Sequence, residues 1–119
     1  MRIHQFENIK KPWGSECLID KNDKYAFKKI FLKTGTRTSL QSHHQKLETI
    51  YIVTGEIELE TYSKDDNKKV EIYKKDEAYT IVPGCKHRVN VIKDCTLFEV
   101  STPELDDVIR YEDDYGRES

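Results

Sequence analysis

Apolar and polar residues alternate with a period of two through much of the chain, and this pattern constrains the fold more than any other feature. In the segment EIELETY, Ile57 and Leu59 share one face, while the glutamates at positions 56, 58 and 60 share the other. Such alternation is typical of a β-strand with one buried and one solvated face. The chain is therefore predicted to be built from antiparallel strands.

Similar short segments recur along the chain, and turn clusters separate them. They read SECLID, YAFKKIFL, ETIYIVTG, VEIY, AYTIV, HRVNVI and CTLFEV, with turns such as KND, KKDE and PGCK between them. Short strands at this spacing predict an all-β sandwich or barrel, and a barrel also removes open sheet edges. A length of 119 residues supports a single domain, 1–119, with one modest core. Only the tail PELDDVIRYEDDYGRES is expected to allow a helical turn.

Composition argues against several classes of partner and compartment. The net charge of −2 gives no reason to expect a surface for nucleic acid or an anionic membrane. No segment approaches the roughly 20 apolar residues of a membrane span, and the start lacks the apolar run of a signal peptide. Cys17, Cys85 and Cys95 are odd in number and lack CxxC spacing, which argues against a disulfide framework. These features predict a protein of the reducing cytoplasm.

A polar cluster lies between two glycines in the stretch GTRTSLQSHHQKLETIYIVTG, residues 35–55. If residues 36–43 are extended, Gln41 and His43 project to the same side as Arg37. A polar row is ordinary on a solvated face. Inside a barrel each unpartnered polar group would cost roughly 1–3 kcal/mol, so the row would need partners there.

Two further residues can reach the same point in a closed barrel. Glu48 opens the next strand, and His87 follows the turn VPGCK. Two imidazoles, an amide and a carboxylate form a mixed nitrogen and oxygen set that suits Zn²⁺, Fe²⁺, Mn²⁺ or Co²⁺. The pattern therefore leaves two interpretations open, a polar turn between strands or a divalent metal site with the ligands Gln41, His43, Glu48 and His87.

The spacing of this stretch resembles the first cupin motif, which reads Gly, five residues, His-x-His, four residues, Glu, six residues, Gly. The match is complete except at the first histidine, and its positions are Gly35, Gln41, His43, Glu48 and Gly55. The second cupin motif, Pro-x-Gly-x-x-His, is matched less well by VPGCKH, where valine replaces the usual proline. The resemblance implies the cupin double-stranded β-helix, a jelly-roll barrel of about residues 11–102 with a packed N-terminal arm and C-terminal tail.

Among cupins, the chain is similar to the isomerase domain of type II phosphomannose isomerases. The shared elements are KPWGS, GTRTSLQSHH, KHR and DDVIRYEDDYGR, and they extend from about Lys11 to Arg117. The resemblance implies that the four candidate ligands hold zinc, with Fe, Mn, Co or Ni as alternatives. It also implies a stand-alone homodimer without the nucleotidyltransferase part to which this domain is often fused.

The chain departs from the usual pattern of that family at several positions. Lys11 stands where an arginine precedes Pro-Trp-Gly, and Gln45 ends what is usually a run of three histidines. Thr49 and Ile50 take the place of the His-Trp pair that commonly follows the glutamate. The four candidate ligands survive these changes, whereas the identity of the sugar stays open.

The resemblance implies aldose–ketose isomerisation of a sugar phosphate in activated-sugar and surface-polysaccharide synthesis. A metal holding the O1 and O2 atoms of the substrate would stabilise the negative charge of an enediolate. Arg37 and Arg88 are predicted to bind the phosphate, since arginine binds this group bidentately. The base that carries the proton is not identified, and the catalytic candidates are Arg37, His44 and Lys86.

Two other functions remain open at this point. One is a non-catalytic cupin that holds a metal and a sugar or sugar nucleotide beside sugar-nucleotide enzymes. The other is a cupin dioxygenase that uses iron, although the neutral amide of Gln41 is an unusual ligand for oxygen-activating iron.

Overall fold

The computed structural model describes residues 6–117, and within that range the chain forms nine strands and no helix. The all-β prediction is confirmed, and no helix in the described range has the length and apolar character needed to cross a membrane. The expected helical turn in the tail was wrong, because a strand lies there. The strands are β1 Asn8–Lys11, β2 Gly14–Lys21, β3 Ala26–Leu32, β4 Leu40–Ser42, β5 Glu48–Tyr62, β6 Lys68–Lys74, β7 Ala78–Ile81, β8 Lys86–Ser101 and β9 Ile109–Glu112.

Two long strands, β5 and β8, form the antiparallel centre of the fold. They pair from Glu48↔Ser101 to Tyr62↔Lys86, with register shifts around residues 52–57. The sequence suggested two shorter strands for each of them. The chain instead bends while it stays paired, because β-bulges increase twist without ending a strand.

Gly55 lies at the bend of β5 with a φ of 95°. A side chain there would collide with the backbone carbonyl of Asp94 on β8. The glycine that closes the first cupin motif is therefore required both by the left-handed backbone and by the close approach of the paired strand.

The bend divides the molecule into two sheet halves. The first half has the strand order β1-β2-β3-β8-β5-β7 and uses the second part of β8 with the first part of β5. The second half has the order β6-β5-β8-β4-β9 and uses the remaining parts of the two long strands. The tail beyond residue 102 therefore joins the second half as its edge strand β9.

A single apolar core fills the space between the two halves. The side chains at this centre alternate along their strands with residues that point outwards. Its members are Trp13, Ile30, Leu32, Ile50, Ile52, Ile57, Leu59, Tyr79, Ile81, Val89, Val91, Cys95 and Leu97. Next to this core the two halves enclose a cavity of about 560 Å³ that polar side chains also line.

Candidate metal centre

Three of the candidate ligands meet at the wall of this cavity. His43 follows β4, Glu48 opens β5, and His87 is the second residue of β8. The Nε2 atoms of both histidines lie 3.6 Å from Oε1 of Glu48. All three side chains are buried, and their ligand atoms lie within 4.8 Å of one another, so the cluster could hold a metal ion.

The hydrogen bonds of the two histidines leave their Nε2 atoms free for a metal. Nδ1 of His43 lies 2.5 Å from the carbonyl oxygen of Asp107, and Nδ1 of His87 lies 2.9 Å from that of Cys85. A carbonyl oxygen can only accept, so both Nδ1 atoms carry the proton and donate it. In the neutral imidazoles the Nε2 lone pairs then converge on the same carboxylate oxygen, which is the arrangement that metal-binding histidines adopt.

Gln41 belongs to the same cavity wall. It is the middle residue of β4 and pairs directly with His87 of β8. It also lines the cavity, and its side chain is partly exposed there. Its position fits a fourth ligand, and its coordination stays a prediction.

A buried lysine orients the carboxylate of the cluster. Nζ of Lys46 lies 3.1 Å from Oε2 of Glu48 and 3.4 Å from Oε2 of Glu99. Burial opposes ionisation of Glu48, but the approach of the His43 ring to 3.6 Å and the charge of Lys46 outweigh it and lower the pKa of Glu48. Glu48 is therefore an anion whose Oε2 is engaged and whose Oε1 faces the histidines.

Glu99 lies against this pair, but its pKa is shifted in the opposite direction to that of Glu48. Burial and the neighbouring negative charge of Glu48 raise the pKa of Glu99 to about 7. Burial also lowers the pKa of His87, and for His43 the Glu48 carboxylate outweighs burial, so its pKa is raised. The cavity thus combines an ionised carboxylate with a second carboxyl group that holds its proton more readily.

Asp107 fixes the turn that carries His43. Its carboxylate accepts hydrogen bonds from the backbone N–H groups of His44 at 3.0 Å, Gln45 at 2.7 Å and Lys46 at 3.0 Å. These bonds lower the pKa of Asp107 to about 2. Nothing local to the tail sequence shows that Asp107 packs against residues 44–46.

The structure does not bring Arg37 to the cavity. Its guanidinium instead forms a two-point ion pair with Asp114, with Nε 2.6 Å from Oδ2 and Nη2 2.6 Å from Oδ1. The predicted shared face with Gln41 was wrong, because β4 begins at Leu40 and Arg37 makes only an isolated bridge to Asn90. The side chain of Arg37 is 44% exposed at the surface.

The two cations beside His87 also point away from the cavity. Arg88 is buried and donates to the carbonyl oxygens of Thr38 at 2.9 Å and of Glu112 at 3.2 Å. Lys86 lies 3.2 Å from Asp66 and 4.9 Å above the ring of Tyr111. Since alternate residues of a strand face opposite sides, an inward His87 directs both of its neighbours outwards.

His44 does not face the cavity either. It is exposed, and its backbone N–H is held by Asp107. Of the predicted site residues, the cavity therefore gathers Gln41, His43, Glu48 and His87, and it leaves out Arg37, His44, Lys86 and Arg88.

Arg110 is one of the cavity cations that the sequence did not single out. It pairs with Gln41 across β4 and β9 and lines the cavity. Its Nε atom is buried and has no hydrogen-bond partner among residues 6–117. The segment DDVIRYEDDYGR is shared with the family, but nothing within it singles out Arg110. Only the pairing of the tail with β4 reveals that this arginine reaches the cavity.

Solved structures with this arrangement of strands are cupins. The oxalate decarboxylase of Bacillus subtilis, in its structure at pH 4.6, superposes with a TM-score of 0.78 at 12% identity, over 89% of this chain and 30% of that one. Another structure of that decarboxylase concerns its Mn(II) centres. The capsular polysaccharide assembling protein CapF of Staphylococcus aureus gives 0.76 at 19% identity, over 91% and 34% of the two chains. The arrangement of strands is therefore the cupin fold.

The particular family follows from the sequence match. The chain belongs to the family described as Mannose-6-phosphate isomerase C-terminal, whose model matches residues 1–113. It is 34% identical over 119 residues to the mannose-1-phosphate guanylyltransferase ManC of Salmonella typhimurium, covering 96% of this chain and 24% of ManC. It is 32% identical over 114 residues to the xanthan biosynthesis protein XanB of Xanthomonas campestris, covering 92% and 23%. The chain thus spans about a quarter of the length of these relatives.

Proposed function

We propose that this chain is a metal-dependent isomerase that interconverts the aldose and ketose forms of a sugar phosphate of the mannose 6-phosphate type. The observation that carries the proposal is the convergence of the Nε2 atoms of His43 and His87 on Oε1 of Glu48, each at 3.6 Å. The cavity around that point has about 560 Å³, within the size range of small-molecule sites. Its histidine, carboxylate and amide donors suit a divalent ion such as Zn²⁺.

The cavity residues divide the reaction between them. His43, Glu48 and His87 would hold a divalent ion, which would supply Lewis-acid polarisation of the substrate oxygens. Arg110 binds the phosphate, because its buried Nε lacks a partner within the described chain. Glu99 lines the same cavity.

Glu99 is the group best suited to carry the proton. It lines the cavity beside the cluster, where Lys46 bridges it to Glu48, and burial together with the charge of Glu48 raises its pKa, which favours a carboxyl group that can both take up and return a proton. In the aldose-to-ketose direction the C2–H bond breaks as Glu99 takes the proton. The same proton then forms the new C1–H bond, while the hydroxyl proton moves from O2 to O1. Lys46 holds the Glu99 carboxylate beside the cluster during this transfer.

The relatives support the substrate class and the setting. The family description names mannose-6-phosphate isomerase, and the relatives' names refer to a mannose-1-phosphate guanylyltransferase and to xanthan biosynthesis. These activities belong to proteins about four times as long. For this chain we infer only the isomerase step, in the synthesis of activated sugars for polysaccharides.

Turnover by protein of known metal content tests the proposal. The protein is stripped with a chelator, reloaded separately with Zn²⁺, Mn²⁺, Fe²⁺, Co²⁺ or Ni²⁺, and incubated with mannose 6-phosphate while fructose 6-phosphate is measured. We expect at least one metal form to convert the substrate. Glu48→Gln should lose both the metal and the activity. His44→Gln changes a neighbouring histidine outside the cavity and should behave like the wild type. A filled site without conversion of mannose 6-phosphate or other hexose phosphates would overturn the isomerase.

A non-catalytic metal- and sugar-binding cupin is the second candidate, and one observation favours it. Ile50 lines the cavity at the place where related isomerases commonly carry tryptophan, so at this position the wall offers an aliphatic side chain in place of an aromatic ring. Binding of sugar phosphate measured by calorimetry on metal-loaded protein, without any turnover, would assign this function.

A further inference from the structure

The tail, residues 103–117, forms one wall of the cavity but contributes nothing to the apolar core. Every member of the core lies at or before Leu97, and Asp113 is the only buried residue of the tail. A segment with few buried apolar contacts opens locally at a low cost in free energy. The tail residues that line the cavity are Leu105, Asp106, Val108, Arg110 and Arg117.

The sheet also holds the tail by few backbone pairs. β9 pairs with β4 at three positions, and a register shift interrupts them between Leu40 and Gln41. β4 is itself three residues long and pairs with β8 at Gln41↔His87. By comparison, β6 at the opposite edge of the same half pairs with β5 at seven positions. Opening of the tail therefore breaks few backbone hydrogen bonds and leaves the other strands paired.

Polar side chains add further attachments between the tail and the sheet. The hydroxyl groups of Tyr111 and Ser42 lie 2.8 Å apart. Nη1 of Arg88 lies 3.3 Å from Oε2 of Glu112, whose side chain is 66% exposed. The pair of Arg37 with Asp114 is also at the surface. Ion pairs in contact with water contribute little stability, so these attachments do not lock the tail in place.

Two buried polar atoms of the tail favour its opening. Within residues 6–117, Oε2 of Glu104 and Nε of Arg110 are the buried side-chain polar atoms that lack a hydrogen-bond partner. A buried polar atom without a partner destabilises the state in which it is buried. Both atoms regain water when the tail opens, which lowers the cost of opening.

The closed tail orients one of the candidate ligands. The carbonyl oxygen of Asp107 accepts a hydrogen bond from Nδ1 of His43 at 2.5 Å, and its carboxylate accepts from the backbone N–H groups of residues 44–46. A group that orients a metal-binding histidine typically contributes about 10- to 100-fold to metal affinity. Since opening of the tail removes these contacts, the closed form should bind an ion more tightly than the open form.

We propose that the tail opens and closes over the cavity as a unit, and that its closure and ion binding at His43, Glu48 and His87 stabilise each other. If the closed form binds the ion about 10- to 100-fold more tightly, the ion must favour the closed form by the same factor. The open form gives a sugar phosphate access to the cavity, and closure returns Arg110 to its wall. The proposal uses the ion site but not the isomerase activity, so a protein without turnover tests it equally well.

Hydrogen–deuterium exchange of the full chain tests the coupling. Exchange is compared after chelation and with Zn²⁺ or, separately, Mn²⁺, while the bound ion is measured in parallel. β9 contains none of the candidate ligands, so the protection of its amides reports closure of the tail. We expect exchange in Ile109–Glu112 to slow at least about tenfold with the ion, and exchange in β6, the other edge strand, to change less than about twofold.

Three results would overturn the coupling. They are a bound ion without slower exchange at β9, equal slowing at β6, and a protein that binds neither ion. The first two leave the isomerase proposal standing, because both are compatible with turnover.

A matched pair of tyrosine substitutions tests whether the tail opens as a unit. Tyr111→Phe removes the hydroxyl contact with Ser42 and keeps the ring beside Lys86, and neither tyrosine nor serine here lines the cavity. Tyr62→Phe is the control, because its hydroxyl donates to Glu60 at 2.9 Å and its ring also lies beside Lys86. In the metal-free protein we expect about three- to tenfold faster exchange at β9 for Tyr111→Phe, the usual effect of one hydrogen bond, and less than about twofold for Tyr62→Phe. Equal effects, or none, would overturn the proposal, and melting curves verify that both variants are folded.

Discussion

Neighbouring residues of β8 have opposite surroundings although they are adjacent in sequence. His87 is buried at the metal cluster, where its Nε2 atom faces Glu48. Arg88 is equally buried, but it holds the backbone of residues 38 and 112 on the outer side of the same sheet. The difference teaches that strand alternation decides which residue faces the candidate site and which maintains the fold. Adjacency to a motif residue does not decide it.

The largest contrast is expected between substitutions at these two positions. His87→Ala should weaken metal binding at least about 100-fold and abolish isomerisation, while the metal-free protein stays folded. Arg88→Ala should leave metal binding within about twofold but lower the free energy of unfolding by about 2–3 kcal/mol, because charged hydrogen bonds are lost. Metal titration and urea denaturation measure the two effects. Loss of metal by Arg88→Ala in a folded protein would break the comparison.

Substitution of Arg110 is expected to affect substrate binding and to leave metal binding unchanged. Arg110→Gln should raise the KM for mannose 6-phosphate about 10- to 100-fold, because one charged contact with the phosphate is lost. Metal content should not change, since Arg110 has no contact with the three clustered ligands. Steady-state kinetics with parallel metal analysis separates these quantities. An unchanged KM would remove Arg110 from the phosphate site.

Asp107 should have a smaller effect, through the turn that carries His43. Asp107→Asn replaces a carboxylate that accepts three backbone hydrogen bonds, and we expect about tenfold weaker metal binding, as for other groups that position a ligand. Competition with a chromogenic chelator measures that affinity. Normal metal affinity in this variant would show that the turn is held by other contacts.

The same carboxylate predicts a pH dependence. Its folded pKa of about 2 lies below the ordinary 3.8, so its stabilising contribution is complete above pH 3.8 and is lost as the pH falls towards 2. Thermal melting of the metal-free protein between pH 5 and 2 should therefore show a steeper acid loss for the wild type than for Asp107→Asn. Parallel curves would contradict this assignment.

Arg37→Ala should have the smallest effect of the series. Its ion pair with Asp114 is at the surface, and such pairs contribute little to stability. We expect a change of less than about twofold in KM and a melting temperature within about 2 °C of the wild type. A large rise in KM would return Arg37 to the phosphate site, against its position in the structure.

The fold was predictable because the strands show a period-two pattern of apolar residues and the turns are rich in turn-forming residues. The clustering of His43, Glu48 and His87 was predictable because the cupin motif fixes the spacing of these residues at three strand ends. Arg110 could not be found in this way, since its place depends on the pairing of β9 with β4, which are almost seventy residues apart in sequence. Arg37 was misplaced because alternation was extended beyond the start of β4.

The bend at Gly55 has a consequence for the ion itself. Glu48 pairs with Ser101 at one end of the β5–β8 ladder and His87 pairs with Thr61 at the other, yet their ligand atoms are 3.6 Å apart. An ion at this point would link the two ends of the bent β5–β8 ladder. The affinity for the ion would then depend on how strongly the β5–β8 ladder is bent. A side chain at position 55 that reduces this bend would weaken ion binding without contacting any of the candidate ligands.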